Sequence, residues 1–312
     1  MKKSAVFLLL AGVCWGARPV IFDTDMGNDV DDALALAMLH ALTDRGECRL
    51  IGVTLTNGNP AAVPYVRMVN RFYGRGDLPV GRAIRSLKDG AQDGYLSAVL
   101  GGTPAEYRGG RADDTPAVEL LRDLLSKSAE KVVIVQTGFS TNLAGLIESP
   151  GGLKLARDKV ELVVAMAGDF SGGAPEYNVR IDAPSATSVF ETWPTPVVFS
   201  GFEIGRDLLY SAAGIERDFT YAKWHPIVES YRAYRKMPYD RPTWDLTAVL
   251  EAVRPERYFT RSPAGGVRVA ADGATAFTAG EGNRRYLRFD PSRRAEILQV
   301  LELLASEPPV AK

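Results

Sequence analysis

Five aspartates fall within ten positions in "DTDMGNDVDD": Asp23, Asp25, Asp29, Asp31 and Asp32. The apolar run "PVIF" precedes them and the helical pattern "ALALAMLHAL" follows. Five carboxylates at such a junction repel one another and are costly to desolvate. One or two can cap a helix N-terminus, where the dipole favours negative charge. Capping does not account for five. A hard divalent cation, calcium or magnesium, does, because it takes carboxylate oxygens. A cation that acidifies water beside a carboxylate that accepts its proton is hydrolytic chemistry.

The surrounding elements must hold these residues in place. "RPVIFDTD", "CRLIGVTLT", "DLPVGRA", "KVVIVQTG", "VELVVAMAG" and "TPVVFSGFE" read as strands. "DDALALAMLHAL", "PAAVPYVRMVNRFYG", "TPAVELLRDLLSKS", "STNLAGLIES" and "DAPSATSVFET" read as the helices between them. The alternation predicts an α/β fold in three layers, a mostly parallel central sheet covered on both faces. Ligands in such sheets sit beyond the carboxyl ends of the strands. The segments that fall there are "DTDMGNDVDD", "TNGNP", "QTGFSTN" and "AGDFSGGAPEYN", all rich in Asp, Asn, Thr and Gly. From about Tyr221 the pattern changes to a helical and hairpin C-terminal part: "KWHPIVESYRAYRKM" and "TWDLTAVLEAV" as helices, "GGVRVAADGATAFTAG" as a hairpin, "SRRAEILQVLELLA" as a closing helix.

The 312 residues carry a net charge of −1 and are 46% hydrophobic. That suffices for a large core, and without a basic stripe nucleic-acid binding has no electrostatic support. The start, "MKKSAVFLLLAGVCWGA", has two lysines, a short apolar stretch and small residues, the pattern of a signal peptide over residues 1–17. Export to the periplasm or medium is the expectation, with one domain over residues 18–312 and no membrane span. Of two cysteines Cys14 lies in the leader, so the mature chain keeps Cys48 and has neither an internal disulfide nor a cysteine zinc site.

"DTDMGNDVDDALAL" resembles the N-terminal signature of the inosine-uridine-preferring nucleoside hydrolases, Asp-x-Asp-x-Gly-x-Asp-Asp-Ala-x-Ala. The likeness continues in order through "GN" at Gly58-Asn59, "QTGFSTN", "MAGDFSGGAPEYNVRIDAPSA" and "TWDLTAVL". The resemblance implies the fold of that family, a Rossmann-like three-layer sheet, and a Ca2+-dependent N-glycosidase acting on small-molecule ribonucleosides as a homodimer or homotetramer. By position it implies that Asp25 is a calcium ligand and the base that activates water. Asp32, the carbonyl of Thr137 and Asp245 would complete the protein's ligands. Asp31 and Asn59 would hold ribose hydroxyls, and Glu176 and Asn178 the far side of the sugar. Asp23 would orient the loop.

Three departures from the family pattern stand out. The loop "MGNDV" has five residues where three are usual, which adds Asp29 as either a further support of the site or a helix cap. Trp244 occupies the place of the histidine that protonates the departing base. Its indole can stack on a base and donate a hydrogen bond but supplies no proton at neutral pH, so His225 and Tyr239 become the candidate donors. "KDGAQDGYL" also lacks a histidine that some members carry. Two other readings compete. "IFDTDMG" is similar to the haloacid-dehalogenase phosphatase opening, with Asp23 as nucleophile. A non-catalytic exported receptor for nucleosides or sugars fits the missing acid.

Overall fold

Alternate residues of the central strands belong to two different hydrophobic cores, which makes the sheet the middle of three layers. In β1 (Arg18–Thr24), Val20 and Phe22 face one core and Ile21 the other. In β4 (Val132–Gln136), Val133 and Val135 join the first while Val132 and Ile134 join the second. Strands buried on both faces read as continuous apolar runs, as these do. The computed structural model describes residues 17–109, 114–172 and 175–310. The leader expected at residues 1–17, with Cys14, lies outside the described residues except for Ala17.

With β2 (Cys48–Leu55), β3 (Val80–Gly81), β5 (Val160–Met166) and β6 (Val197–Ser200), these strands form a parallel array in the order β6-β5-β4-β1-β2-β3. Helices at Asp31–Asp44, Ala62–Phe72, Trp244–Val253 and Arg294–Ala305 cover one face. Those at Ala117–Lys127, Thr141–Glu148, Gly152–Lys159 and Ala183–Thr192 cover the other. The Asp31–Asp44 helix is buried along Asp31–Leu42, and it packs against both the Trp244–Val253 and the Arg294–Ala305 helices. Its sequence is apolar all round for that reason. No described helix is long and apolar enough to cross a membrane. Cys48 is buried and unpaired, within reach of Thr43 Oγ1 at 3.6 Å, which is ordinary packing.

The C-terminal part differs from the expectation in one respect. A two-stranded pair, β7 (Leu209–Tyr210) with β8 (Arg241–Pro242), stands apart from the main sheet. The expected hairpin forms as β10 (Gly265–Val269) and β11 (Thr275–Ala279), but it continues the main sheet. The link is β12 (Arg284–Arg288), which lies parallel to β6 with Tyr286 opposite Phe199, and antiparallel to both β10 and β9 (Thr260–Arg261). "NRRYLRF" hides this role because its first three residues, Asn283, Arg284 and Arg285, are charged or amide-bearing. Leu287 is buried, and Tyr286 stacks on Phe170 at 4.8 Å.

Arg284 is the lock on this extension. It is 5% exposed, and its guanidinium donates to the carbonyls of Phe190 at 2.6 Å, Trp193 at 2.8 Å and Thr195 at 3.2 Å. The first two lie at the end of the Ala183–Thr192 helix, where carbonyls lack an intrahelical partner, and the third lies in the turn that follows. Arg284→Ala leaves three buried acceptors unpaired and is expected to lower stability by about 3 kcal/mol, read as a lower urea midpoint. An unchanged midpoint would remove Arg284 from this role.

Candidate active site

The aspartate loop starts where β1 ends, and its shape is set by polar groups that never reach solvent. Asp23 is fully buried and accepts from Thr54 Oγ1 at 2.6 Å and Asn142 Nδ2 at 2.7 Å. Its carbonyl accepts from the N–H of Thr137 at 2.7 Å. One residue thereby ties β1 to β2 and to the turn after β4. Thr24 Oγ1 donates to Asp32 and accepts from Met26 N–H at 3.1 Å, which folds the loop back over the helix start.

A pocket of about 230 Å³ opens at the carboxyl ends of these strands, somewhat smaller than the usual site for a drug-sized ligand. Asp25, Asp31, Asp32, Thr137, Glu176, Asn178, Trp244 and Asp245 all line it. Asp31, Asp32 and Asp245 each bring a ligand atom within 4.8 Å of the others, and Asp245 N–H donates to Asp31 Oδ2 at 3.1 Å. Asp25 shares the pocket, with its Oδ2 turned to Asn28 Nδ2 at 2.8 Å. On the opposite wall Glu176 caps a short helix, accepting from the N–H groups of Asn178 at 2.9 Å and of Val179 and Gly168. Asn178 Nδ2 donates to Thr137 O at 2.8 Å and Met166 O at 3.1 Å. Thr137 Oγ1, beside that carbonyl, is buried with no hydrogen-bond partner.

Asn59 does not reach this pocket. Its Oδ1 accepts from Ala61 N–H at 2.8 Å at the start of the Ala62–Phe72 helix, and it lines a separate hollow with Arg67 and Arg82. Asn57 turns inward instead and donates to the carbonyls of Met26 and Gln92 at 3.0 and 2.9 Å. The pocket position falls to Asn28, which the longer loop supplies. The candidate donors His225 and Tyr239 are likewise elsewhere. His225 is buried between Phe72, Phe219 and Tyr221, hydrogen-bonded to Tyr221 at 2.7 Å, and burial pulls its pKa down to about 3. Tyr239 donates to Tyr231 O at 2.8 Å. Asp29 accepts from Val30 N–H at 2.6 Å and forms an ion pair with Arg241, whose Nε lies 2.8 Å from Asp29 Oδ1. Asn28, Gln92, Tyr177, Phe202 and Arg241 also line the pocket, and no motif in the sequence singles them out. Arg241 stands four positions before Asp245 in "DRPTWD", and that proximity was the signal available.

Burial raises the carboxyls of Asp23, Asp25, Asp31, Asp32, Glu176 and Asp245. Asp25 is pushed well up by burial and then by the charge of Asp32. Asp31 and Asp245 rise for the same reasons, burial first and neighbouring aspartates second. Burial carries Asp32 to about 6 and both Asp23 and Glu176 to about 7. Hard oxygen donors, buried together and short of positive charge, fit a divalent cation.

Fold and pocket define an α/β protein that gathers buried carboxylates at the sheet's carboxyl edge, around room for a cation and a small ligand. The chain belongs to the inosine-uridine preferring nucleoside hydrolase family, whose profile matches residues 20–300. It is 32% identical over 212 residues to the pyrimidine-specific ribonucleoside hydrolase RihA of Salmonella enteritidis, a match covering 64% of this chain and 65% of that protein. RihA of Citrobacter koseri matches over the same span at the same identity. The chain thus matches just under two thirds of the length of these curated relatives. A plant nucleoside hydrolase superposes with a TM-score of 0.75 at 22% identity, over 93% of this chain and 99% of that one. The inosine-uridine preferring nucleoside hydrolase of Bacillus anthracis does so with a TM-score of 0.69 at 17% identity, over 92% and 99%. These two likenesses are of fold. Family membership sets aside the phosphatase reading of "IFDTDMG".

The carboxyl shifts make a prediction. A carboxyl raised on folding binds its proton more tightly in the native state. Its contribution is therefore present at acid pH and is lost as pH rises through the raised value. Chelator-treated protein should lose thermal stability between about pH 4 and pH 8. Added calcium, which replaces those protons, should raise Tm more at pH 8 than at pH 5. Equal calcium shifts at the two pH values in thermal scans would refute the link between the carboxyl cluster and cation binding.

Proposed function

We propose that this protein hydrolyses the N-glycosidic bond of ribonucleosides, releasing free base and ribose, with calcium held by Asp25, Asp32, Asp245 and the carbonyl of Thr137. The observation that carries the reading is the convergence of Asp25, Asp31, Asp32, Glu176, Asn178 and Asp245 on one pocket within a family of nucleoside hydrolases. Held by these residues, a calcium ion would supply the positive charge that acidifies a water and orients hydroxyl groups. Asp25 takes the proton of the attacking water.

Asp31 sits beside Asp32, anchored by the Asp245 N–H, and is placed to hold ribose hydroxyls. Asn28 joins it in the pocket, where Asn59 had been expected. Glu176 and Asn178 form the opposite wall for the rest of the sugar. As the bond to the base lengthens, positive charge develops on the ribose, as in other glycoside cleavage. The surrounding carboxylates, each buried, stabilise that charge from fixed positions. Phe202 and Trp244, stacked 5.3 Å apart at 25°, offer an aromatic wall for the base. The reading extends to export through the leader at residues 1–17, which would place the activity outside the cytoplasm.

The test is release of reducing sugar by mature protein with calcium, on inosine, uridine, adenosine, guanosine and cytidine. Asp25→Asn is expected to lower kcat by about 10³-fold while ribonucleoside binding by calorimetry persists. Binding with no sugar release in the unsubstituted protein would instead favour a non-catalytic receptor.

A further inference from the structure

The proposed reaction sends an electron pair onto the departing base, and the pocket has no acid on that side. Trp244 cannot serve even as a hydrogen-bond donor to ligand, because its Nε1–H donates to Phe202 O at 2.9 Å. Of the other neutral side-chain donors of the pocket, Thr137 Oγ1 has no partner among the described residues and lies beside the carbonyl that Asn178 holds; the rest are spent on the protein. Asn28 Nδ2 donates to Asp25 Oδ2 at 2.8 Å and Gly90 O at 3.3 Å. Asn178 Nδ2 donates to the carbonyls of Thr137 and Met166. Gln92 Nε2 donates to Asp89 O at 3.2 Å and Tyr177 OH at 3.3 Å, and Tyr177 OH donates to Asp89 O at 2.6 Å.

Arg241 is different. It is the one cationic side chain among the described residues that line the pocket. Its side chain is 14% exposed. The guanidinium carbon lies 5.3 Å from the Trp244 ring centre and 5.2 Å from that of Tyr234. Nε and Nη2 are held by the two oxygens of Asp29. Nη1 makes no hydrogen bond to any described residue, so its two N–H groups remain for a ligand.

We propose that Arg241 is a catalytic residue, the group that donates to the departing nucleobase and stabilises its negative charge in place of an acid. The proposal rests on the hydrolase reading above. The C1′–N bond breaks and its electron pair passes to the base nitrogen. The water oxygen bonds to C1′, and the water's proton goes to Asp25. The base leaves as an anion hydrogen-bonded to Arg241 and is protonated by solvent; Asp25 returns its proton to solvent. Asp29 is a positioning residue, and the lengthened loop "MGNDV" exists on this account to carry it to Arg241. The favoured substrates are ribonucleosides whose base has an acceptor next to the ribosylated nitrogen and spreads negative charge over carbonyl oxygens. Uracil and hypoxanthine qualify better than cytosine and adenine.

The test compares uridine with p-nitrophenyl β-D-ribofuranoside, whose nitrophenolate departs without help, in unsubstituted protein, Arg241→Gln, Arg241→Lys and Asp29→Asn. Arg241→Gln should lower kcat/KM on uridine by about 100-fold and on the nitrophenyl riboside far less, so that the ratio of the two shifts at least tenfold. Arg241→Lys should recover part of the uridine rate, and Asp29→Asn should shift the ratio in the same direction by a smaller factor. Thermal scans with calcium identify any variant that has lost its fold; a Lys variant that folds keeps the comparison open if the Gln variant does not. Equal losses on both substrates, or no loss on uridine, would overturn the role of Arg241. Unsubstituted protein that cleaves the nitrophenyl riboside but neither uridine nor inosine overturns it too, while the hydrolase reading stands. Cleavage of none of them overturns both.

Discussion

Asp25, Asp31, Asp32 and Asp245 are each under 5% exposed and share one pocket. The guanidinium closest in the pocket lining is already paired with Asp29. Charge of one sign at that density must be met by protons or by a cation. Much of the surrounding structure is organised to keep it there. The hand-over from β1 to the first helix delivers three of these aspartates within eight positions of sequence. The fourth arrives on a helix 214 residues downstream of Asp31, joined to it by a backbone N–H. The apolar packing of those two helices against each other holds the carboxylates together against their repulsion.

Around them lies a frame of buried polar groups. Asp23 joins two strands and the turn after a third, and Glu176 gathers three backbone N–H groups at the opposite wall. Buried hydrogen bonds of this kind stiffen the frame, because breaking any one of them leaves a further buried group unpaired. Stiffness matters for the proposed chemistry. Charge stabilisation that needs no rearrangement at the moment of bond breaking depends on groups already in place.

The pocket lining also combines two kinds of group: the carboxylates of Asp25, Asp31, Asp32, Asp245 and Glu176, and the rings of Tyr177, Phe202 and Trp244 with the guanidinium of Arg241. The Arg241–Asp29 pair joins the two, since Asp29 belongs to the aspartate loop and Arg241 lies over Trp244. A change in the loop therefore reaches the base wall directly.

Much of this was legible in the chain. Apolar runs alternating with amphipathic helices specified the three-layer sheet, because side-chain periodicity is a local property of strand and helix. The order of the motifs named the family and placed Asp25, Asp31, Asp32, Thr137, Glu176, Asn178, Trp244 and Asp245, all of which meet in the pocket. Local sequence could not say which of two nearby asparagines faces inward. Asn59 is taken by the helix start while Asn28 enters the site, and that choice depends on hydrogen bonds to Gly90 and Gln92 across the fold. Nor could it couple Asp29 to Arg241, 212 positions apart, or place β12 beside β6. Such pairings are settled by which surfaces the packed helices and strands bring face to face, and only the folded chain contains that information.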